Sequence, residues 1–404
     1  MSNNKKIVKK LFEKEEKTDL NSDKHMKNFI EWLKKNNVQS DDLYFKLYNN
    51  EERGVYTRND IPKNKTIMFI PLDALITDIL GKQVEWSKKL DQSGAFSHKG
   101  ELLKKITYVM LYILSTIDNP DEKFKPYYDI LPTVMDNFPL FWEEEELDLL
   151  QGSPFLDMIE NRKRSISEDY NTICKVLPEL EERFSEDDFM WCRTIVGSRN
   201  FGLNIHGHEA TAMVPLADML NHFRPAETKW FFDNTRNGYV MNSLENLPAE
   251  TQVMDSYGAK SNYKFLLHYG FCMENCDETD NQMKLSFKFN GREYLLDNTG
   301  NSYDFDRLCK ELRITVSNDE ELQQNPNSKI NDRNEMAMLA VLSLECRKKL
   351  AKYKYSYKKS EKMFKSYNRF TPERNIFNII LSEQKILKYY IDYANRRILE
   401  LSKQ

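Results

Sequence analysis

The chain has 404 residues, with 59 Lys and Arg against 63 Asp and Glu, for a formal net charge of −4. Its length suits two or three domains at ~150 residues each, and 40% hydrophobic with 12% aromatic residues exclude a mainly disordered chain, despite a mean hydropathy of −0.69. The near-neutral balance lacks the basic footprint of a dedicated nucleic-acid binder.

Residues 1–21 read as a mobile charged arm, with no apolar stretch of the kind a secretory leader carries. A helix is predicted from a cap at Ser22, with Phe29, Trp32 and Leu33 on one face. Residues 43–48 alternate like a strand, a Gly-bearing turn follows around Gly54, and 66–71 form the next strand. From 76 to about 196 the pattern turns helical: 102–117 carries Leu103, Ile106, Val109, Met110 and Ile113 at helical spacing, and 125–132 (KPYYDILP) breaks it. Further helices are predicted near 141–147, 160–177 and 185–196. Strands return at 230–232 and 238–241, a polar turn covers 255–262, and 263–268 is helical. The tail from about 330 is helical, and Thr371 and Pro372 mark the start of a last amphipathic helix. Within it, 352–359 (KYKYSYKK) reads as helix with aromatics inward and lysines outward, rather than as a base-stacking surface.

Apolar runs such as 337–344 fall far short of the ~20 residues that a spanning helix needs. The cysteines, Cys174, Cys192, Cys272, Cys276, Cys309 and Cys346, are widely spaced, which suits reduced thiols in the cytosol or nucleus. Cys272 and Cys276 form a C-x3-C pair with no second Cys/His pair nearby, His206 and His208 have no evident third ligand, and 143–146 reads as an acidic helix start; no metal is expected. Phosphate-binding glycine loops, H-E-x-x-H and G-x-S-x-G are absent.

Three clusters remain: Ser198-Arg199-Asn200-Phe201; residues 215–222 (PLADMLNH); and 257–262 (YGAKSN) followed by Tyr269-Gly270-Phe271. Singly they read as a polar turn, a strand end and a core aromatic group. Together, in this order and spacing, they resemble the SET-domain methyltransferases, in the branch similar to the Rubisco large-subunit lysine methyltransferase. Segment 125–132 with 141–145 (FWEEE) is similar to that branch's insertion.

The resemblance implies an α+β fold. A β-rich SET domain (22–75 and 197–275) is split by a helical insertion (76–196) and followed by an all-α C-terminal substrate-binding domain (276–404). It implies S-adenosylmethionine as cofactor, wrapped by backbone at Glu51, Arg53 and Gly54. Arg199 would lie near its carboxylate, Asn221 and His222 would hold the amino-acid part and the adenine with support from Asp218, and Phe271 would stack on the adenine. Tyr257 would be the catalytic tyrosine, with Phe201 and Tyr269 lining the substrate channel. One departure is Glu52, which replaces the first glycine of the usual Gly-x-Gly; the turn is expected to survive on Gly54.

One relative in this branch methylates a histidine of actin; it carries Asn two residues after the arginine and lacks the tyrosine matching Tyr269. Phe201, Tyr269 and Lys260 follow the lysine pattern. The expected activity is therefore protein-lysine N-methylation of a non-histone protein, by in-line transfer to a deprotonated amine. The alternatives are protein-histidine methylation and a non-catalytic SET-fold binding protein; the second conflicts with the retained Arg199, Asn221, His222 and Tyr257. The expected partner is a protein substrate docked by the C-terminal domain. No membrane or specific nucleic acid is expected, and the chain is expected to be a monomer of the cytoplasm or nucleus.

Overall fold

The computed structural model describes residues 23–48, 52–274, 283–369 and 371–403. The expected arm over 1–21, the cap at Ser22, and Glu51 and Cys276 lie outside them. The helices of eight or more residues are α1 (Lys24–Lys35), α2 (Glu85–Ser93), α3 (Glu101–Thr116), α4 (Pro154–Val176), α5 (Glu186–Arg199), α6 (Asn262–Tyr269), α7 (Tyr303–Val316), α8 (Asp332–Leu350), α9 (Tyr357–Ser366) and α10 (Pro372–Leu401). The strands are β1 (Leu43–Tyr48), β2 (Glu52–Thr57), β3 (Thr66–Pro71), β4 (Ile76–Thr77), β5 (Asn200–Ile205), β6 (His208–Met213), β7 (Asn221–His222), β8 (Thr228–Asp233), β9 (Gly238–Ser243), β10 (Met254–Asp255), β11 (Leu285–Phe289) and β12 (Arg292–Leu296). They fall into two compact units. One holds residues up to Val134 and Ser165–Gly258; the other holds Met135–Arg164 and residues from Ala259 onward.

In the first unit, α1 starts at Asp23, whose carboxylate accepts from His25 N–H at 2.8 Å. Its buried face, Met26, Phe29, Trp32 and Leu33, follows the helical period. Phe29 stacks on Trp32 with centroids 5.9 Å apart and lies 6.1 Å from both Phe45 and Tyr127. Such pairs add about 0.5–1.5 kcal/mol beyond burial alone. The indole Trp32 N–H donates to Lys123 O at 2.6 Å, so α1 is tied to the turn that leads into Tyr127.

The expected turn around Gly54 is a strand. β2 pairs antiparallel with β1, placing Gly54 opposite Lys46, while β3 pairs with β9 instead. Burial explains the difference. Val55 and Thr57 are fully buried, and segment 251–253 supplies β2 with a second edge through Val253 N–H to Val55 O (2.8 Å) and Thr57 N–H to Thr251 O (3.0 Å). Two short antiparallel sheets, β3-β9-β8 and β4-β6-β5, and the parallel pair β7-β10 complete the strands of this unit. The β5-β6 hairpin turns at His206 (φ 49°) and Gly207 (φ 87°), so the His-Gly-His motif is a turn. Helix α5 opens with a reciprocal cap between Ser185 and Asp188, packs on α3, and ends at Arg199, directly before β5.

In the second unit, α10 packs along α8 and α9, and α7 packs on α8. Thr371 caps α10 by accepting from Arg374 N–H at 3.2 Å. One element is missing from the sequence reading, the β11-β12 hairpin. Its Leu285, Phe287, Tyr294 and Leu296 are buried, and β12 packs on α7. Residues 351–356 are a turn rather than helix, and α9 begins only at Tyr357. The cause is Tyr353, which leaves the helical path to bury its ring and donate to Glu383 at 2.8 Å.

Glu383, fully buried in α10, also accepts from Ser153 Oγ (2.7 Å) and the Tyr263 hydroxyl (2.6 Å). Burial pushes its carboxyl from the ordinary 4.5 up to about 7, outweighing these donors and the nearby Lys349. Because the folded value is the higher one, the stabilisation is complete below pH 4.5 and is lost as pH rises through 7. Denaturant titrations from pH 4 to pH 8 should show the wild type losing about 3 kcal/mol relative to Glu383→Gln over that range. A constant difference between the two proteins would place the titration elsewhere. Among the described residues, no helix is long and apolar enough to cross a membrane.

Candidate functional site

The site in the first unit grows from segment 214–222. Leu216, fully buried, adopts φ 81° and ψ −51°, a conformation that L residues rarely take. It turns the chain into the single helical turn Ala217–Met219 and sends the Asp218 side chain inward, where it has no exposed surface.

Three groups surround that carboxylate. Tyr127 donates its hydroxyl to Asp218 Oδ2 at 2.7 Å. Arg199 reaches the same oxygen at 3.2 Å and the Asp218 backbone carbonyl at 2.9 Å through one guanidinium nitrogen. Arg53 lies near enough to interact with both, while its own guanidinium donates to Ile130 O at 2.7 Å. Burial raises the Asp218 pKa, opposed by Arg199, Tyr127 and Arg53. Burial works against the Arg199 charge, but Asp218, Tyr127 and Tyr257 outweigh it and hold its pKa above the usual value. Burial and repulsion from Arg199 bring Arg53 down to about 10. Two guanidiniums thus share one buried carboxylate, whose Oδ1 has no hydrogen-bond partner among the described residues. Asp23 also acts on Arg53, so the charges are closely matched; the two guanidiniums fit an anionic ligand such as an amino-acid carboxylate, and the open Oδ1 fits a donor.

The second part is a clasp. Strand β7 runs parallel to β10, with Asn221 beside Met254 and His222 beside Asp255. Asn221 Nδ2 donates to Arg53 O at 3.1 Å and so ties β7 to β2. The Tyr257 N–H donates to His222 Nδ1 at 2.9 Å, so the neutral imidazole carries its proton on Nε2. The two rings stack with centroids 5.0 Å apart. The Tyr257 hydroxyl donates to Leu220 O at 2.7 Å. Its proton being committed, the phenol oxygen is left to accept. Gly54 lies beside this clasp; a Cβ there would meet Gln252 Nε2 at 2.0 Å, so any side chain at that position would have to displace Gln252.

Phe201, on β5, packs edge-on against Trp230 (5.2 Å) and Tyr239 (5.5 Å). Trp230 in turn hydrogen-bonds Asp255, two residues before Tyr257. Tyr269 and Phe271 belong to the second unit, where both pack on Phe265, with Phe271 stacked at 5.2 Å. Lys260 places its ammonium 5.5 Å from the Tyr269 ring centroid, and burial lowers its pKa.

The first unit therefore assembles Arg53, Gly54, Arg199, Asp218, Asn221, His222 and Tyr257, with Phe201 joined through Trp230. Glu51 lies outside the described residues. Sequence reasoning missed Tyr127, Trp230 and Tyr239. The first sits in the quoted KPYYDILP segment, but nothing local marks it as the partner of a residue 91 positions away. Among the described residues no cluster fit for a metal is present; Cys272 is a half-buried thiol whose pKa desolvation raises well above the ordinary value.

The family described as Rubisco LSMT substrate-binding matches residues 305–387. The chain is similar to the actin-histidine N-methyltransferase of Gallus gallus, 24% identical over 287 residues, covering 68% of this chain and 47% of that protein. The Homo sapiens protein of the same name is 24% identical over 282 residues, covering 67% and 46%. The chain thus spans about half the length of the curated relatives it matches. Among solved structures, Rubisco LSMT bound to AdoMet superposes with a TM-score of 0.74 at 21% identity, covering 94% of both chains. The SET domain of LSMT bound to lysine and AdoHcy gives 0.73 at 20% identity, covering 94% of this chain and 92% of that one. The three comparisons support one branch, the SET-domain proteins similar to Rubisco LSMT, and the chain has that fold.

If the Asp218 node holds the site, removing one partner should leave a buried charge uncompensated. Asp218→Asn should lose about 3–5 kcal/mol of unfolding free energy in urea, and Tyr127→Phe about 1–2 kcal/mol. Equal and small losses would show that the node is not the anchor.

Proposed function

We propose that the chain is an S-adenosylmethionine-dependent protein methyltransferase that modifies a lysine amine. The observation that carries the reading is the Tyr257 hydroxyl, held on Leu220 O at 2.7 Å while its backbone is held by His222. S-adenosylmethionine supplies, when bound, a methyl group on a cationic sulfur that departs as a neutral thioether.

The chain's own residues do the rest. Arg199, oriented by Asp218 and Tyr127, binds the carboxylate of the amino-acid moiety, and Arg53 adds to the positive field. Asn221, His222 and the backbone of β2 shape the pocket around that moiety. The Tyr257 oxygen accepts an N–H of the incoming amine and so turns the nitrogen lone pair toward the methyl. No strong base is required at the site. An amine leaving water for an aromatic wall loses hydration, its pKa falls, and it sheds its proton before transfer.

Lysine is favoured because Phe201, with Trp230 and Tyr239, makes an aromatic wall and offers no amide for an imidazole. The curated relatives' name favours histidine as the second reading.

Labelled S-adenosylmethionine, incubated with the chain and extract of its source cells, should mark a protein, and mass spectrometry should place the methyl on lysine. Tyr257→Phe should reduce transfer at least about 100-fold. The cofactor should still stabilise that variant, by about 3 kcal/mol at 100 times its Kd. Methyl-histidine in the product would overturn the lysine reading. No transfer and no cofactor-induced rise in Tm would overturn the enzymatic one.

A further inference from the structure

Charge is unevenly distributed along this chain. Residues 347–369 carry ten Lys and Arg against one Glu, although the whole chain is net −4. The segment runs from the end of α8 through the 351–356 turn into α9, within the second unit. Part of it is neutralised locally: Lys354 pairs with Asp148, Lys348 with Glu345 at 2.7 Å, and Lys365 with Glu361 at 3.2 Å. Lys352, Lys358, Lys359 and Lys362 are exposed and have no carboxylate partner among the described residues.

Two features make this arrangement costly to the chain alone. Lys358 and Lys359 occupy the first turn of α9, which contains no acidic residue and where the helix dipole disfavours cations. Lys358 and Lys362, four residues apart, repel each other along one face. Among the described residues neither is offset by an ion pair, so an acidic partner would relieve both.

The aromatic residues between the lysines decide what kind of partner fits. Tyr353 is buried on Glu383, Tyr355 packs 6.0 Å from Phe377, and the Tyr357 ring lies under Lys388 at 5.3 Å. Tyr353 is buried, and Tyr355 and Tyr357 are half-buried against these neighbours, which leaves less ring surface for the base stacking that sequence-tolerant nucleic-acid binding uses. The acidic remainder of the chain would also repel an extended polyanion. A short acidic peptide meets only the local field. At physiological salt, charges beyond ~8 Å are largely screened, whereas ten-residue α9 extends ~15 Å.

We propose that the exposed basic face formed by Lys358, Lys359 and Lys362 of α9 docks an acidic segment of the protein substrate. This rests on the methyltransferase reading for the word substrate, but the binding can be measured without it. The face lies inside residues 305–387, the part matched by the substrate-binding family.

The test uses the full chain and a fluorescein-labelled decaglutamate peptide, read by anisotropy at 50 and 300 mM salt, with labelled oligo(dT) in parallel. The variants are K358E/K359E/K362E and the charge-keeping K358R/K359R/K362R. The reversal should weaken peptide binding at least tenfold, the arginine variant should stay within twofold of wild type, and binding should weaken at high salt. The reversal variant's Tm should hold or rise, because acids replace bases at a helix start; a folding defect would lower it. Equal peptide binding by wild type and reversal variant overturns the proposal. So does oligo(dT) binding tighter than the peptide and lost on reversal, which would give the face to nucleic acid. The rise in Tm with S-adenosylmethionine, measured on the same samples, reports the methyltransferase reading separately.

Discussion

A carboxylate with no exposed surface, Asp218, is the constraint on which the candidate site depends. A buried charge costs several kcal/mol unless it is paired and hydrogen-bonded. Asp218 meets that condition only because Tyr127, from the helix-rich stretch before α4, and Arg199, at the end of α5, converge on one oxygen. The strained backbone at Leu216 is what aims the carboxylate there. The same segment then continues into Leu220, Asn221 and His222, which hold Tyr257 and β2. A single buried charge therefore sets the direction of a guanidinium and the position of the chain that carries the phenol.

The two units contain buried carboxylates that solve the same problem differently. Asp218 is matched by guanidiniums, which bring full charges to the site. Glu383 is matched by three hydroxyls, from Ser153, Tyr263 and Tyr353, with Lys349 nearby. Hydroxyls satisfy geometry without supplying charge, so desolvation dominates and Glu383 titrates near neutrality. The first arrangement prepares a binding site; the second ties the start of α4, α6, the 351–356 turn and α10 into one core.

Surface charge adds a further layer. A chain that is net negative nonetheless concentrates basic residues on α9, and the tyrosines between them are turned inward by the core. Inward aromatics with outward lysines were legible as a pattern. That the turn at 351–356 breaks the helix and places two lysines at a fresh helix start was not, because it follows from the pull of Glu383, 30 residues further on, upon Tyr353.

Much of the architecture could be read from the chain itself. Helical spacing marked α1, α3, α5 and α10, and Thr371 and Pro372 marked the start of α10, because caps and periodicity are local chemistry. Resemblance to the SET-domain methyltransferases grouped Arg199, Asp218, Asn221, His222 and Tyr257. The reading failed where partners are remote. Gly54 was taken for a turn residue, yet it lies in a strand whose second edge comes from residues 251–253. The β11-β12 hairpin was overlooked within a helical region. Tyr127, Trp230 and Tyr239 acquire their places only from groups far along the chain. By itself the sequence determined the elements whose caps and periodicity are local. Tertiary structure alone decided which carboxylate holds which guanidinium, and where the Tyr257 proton points, because desolvation and pairing depend on neighbours that local sequence does not specify.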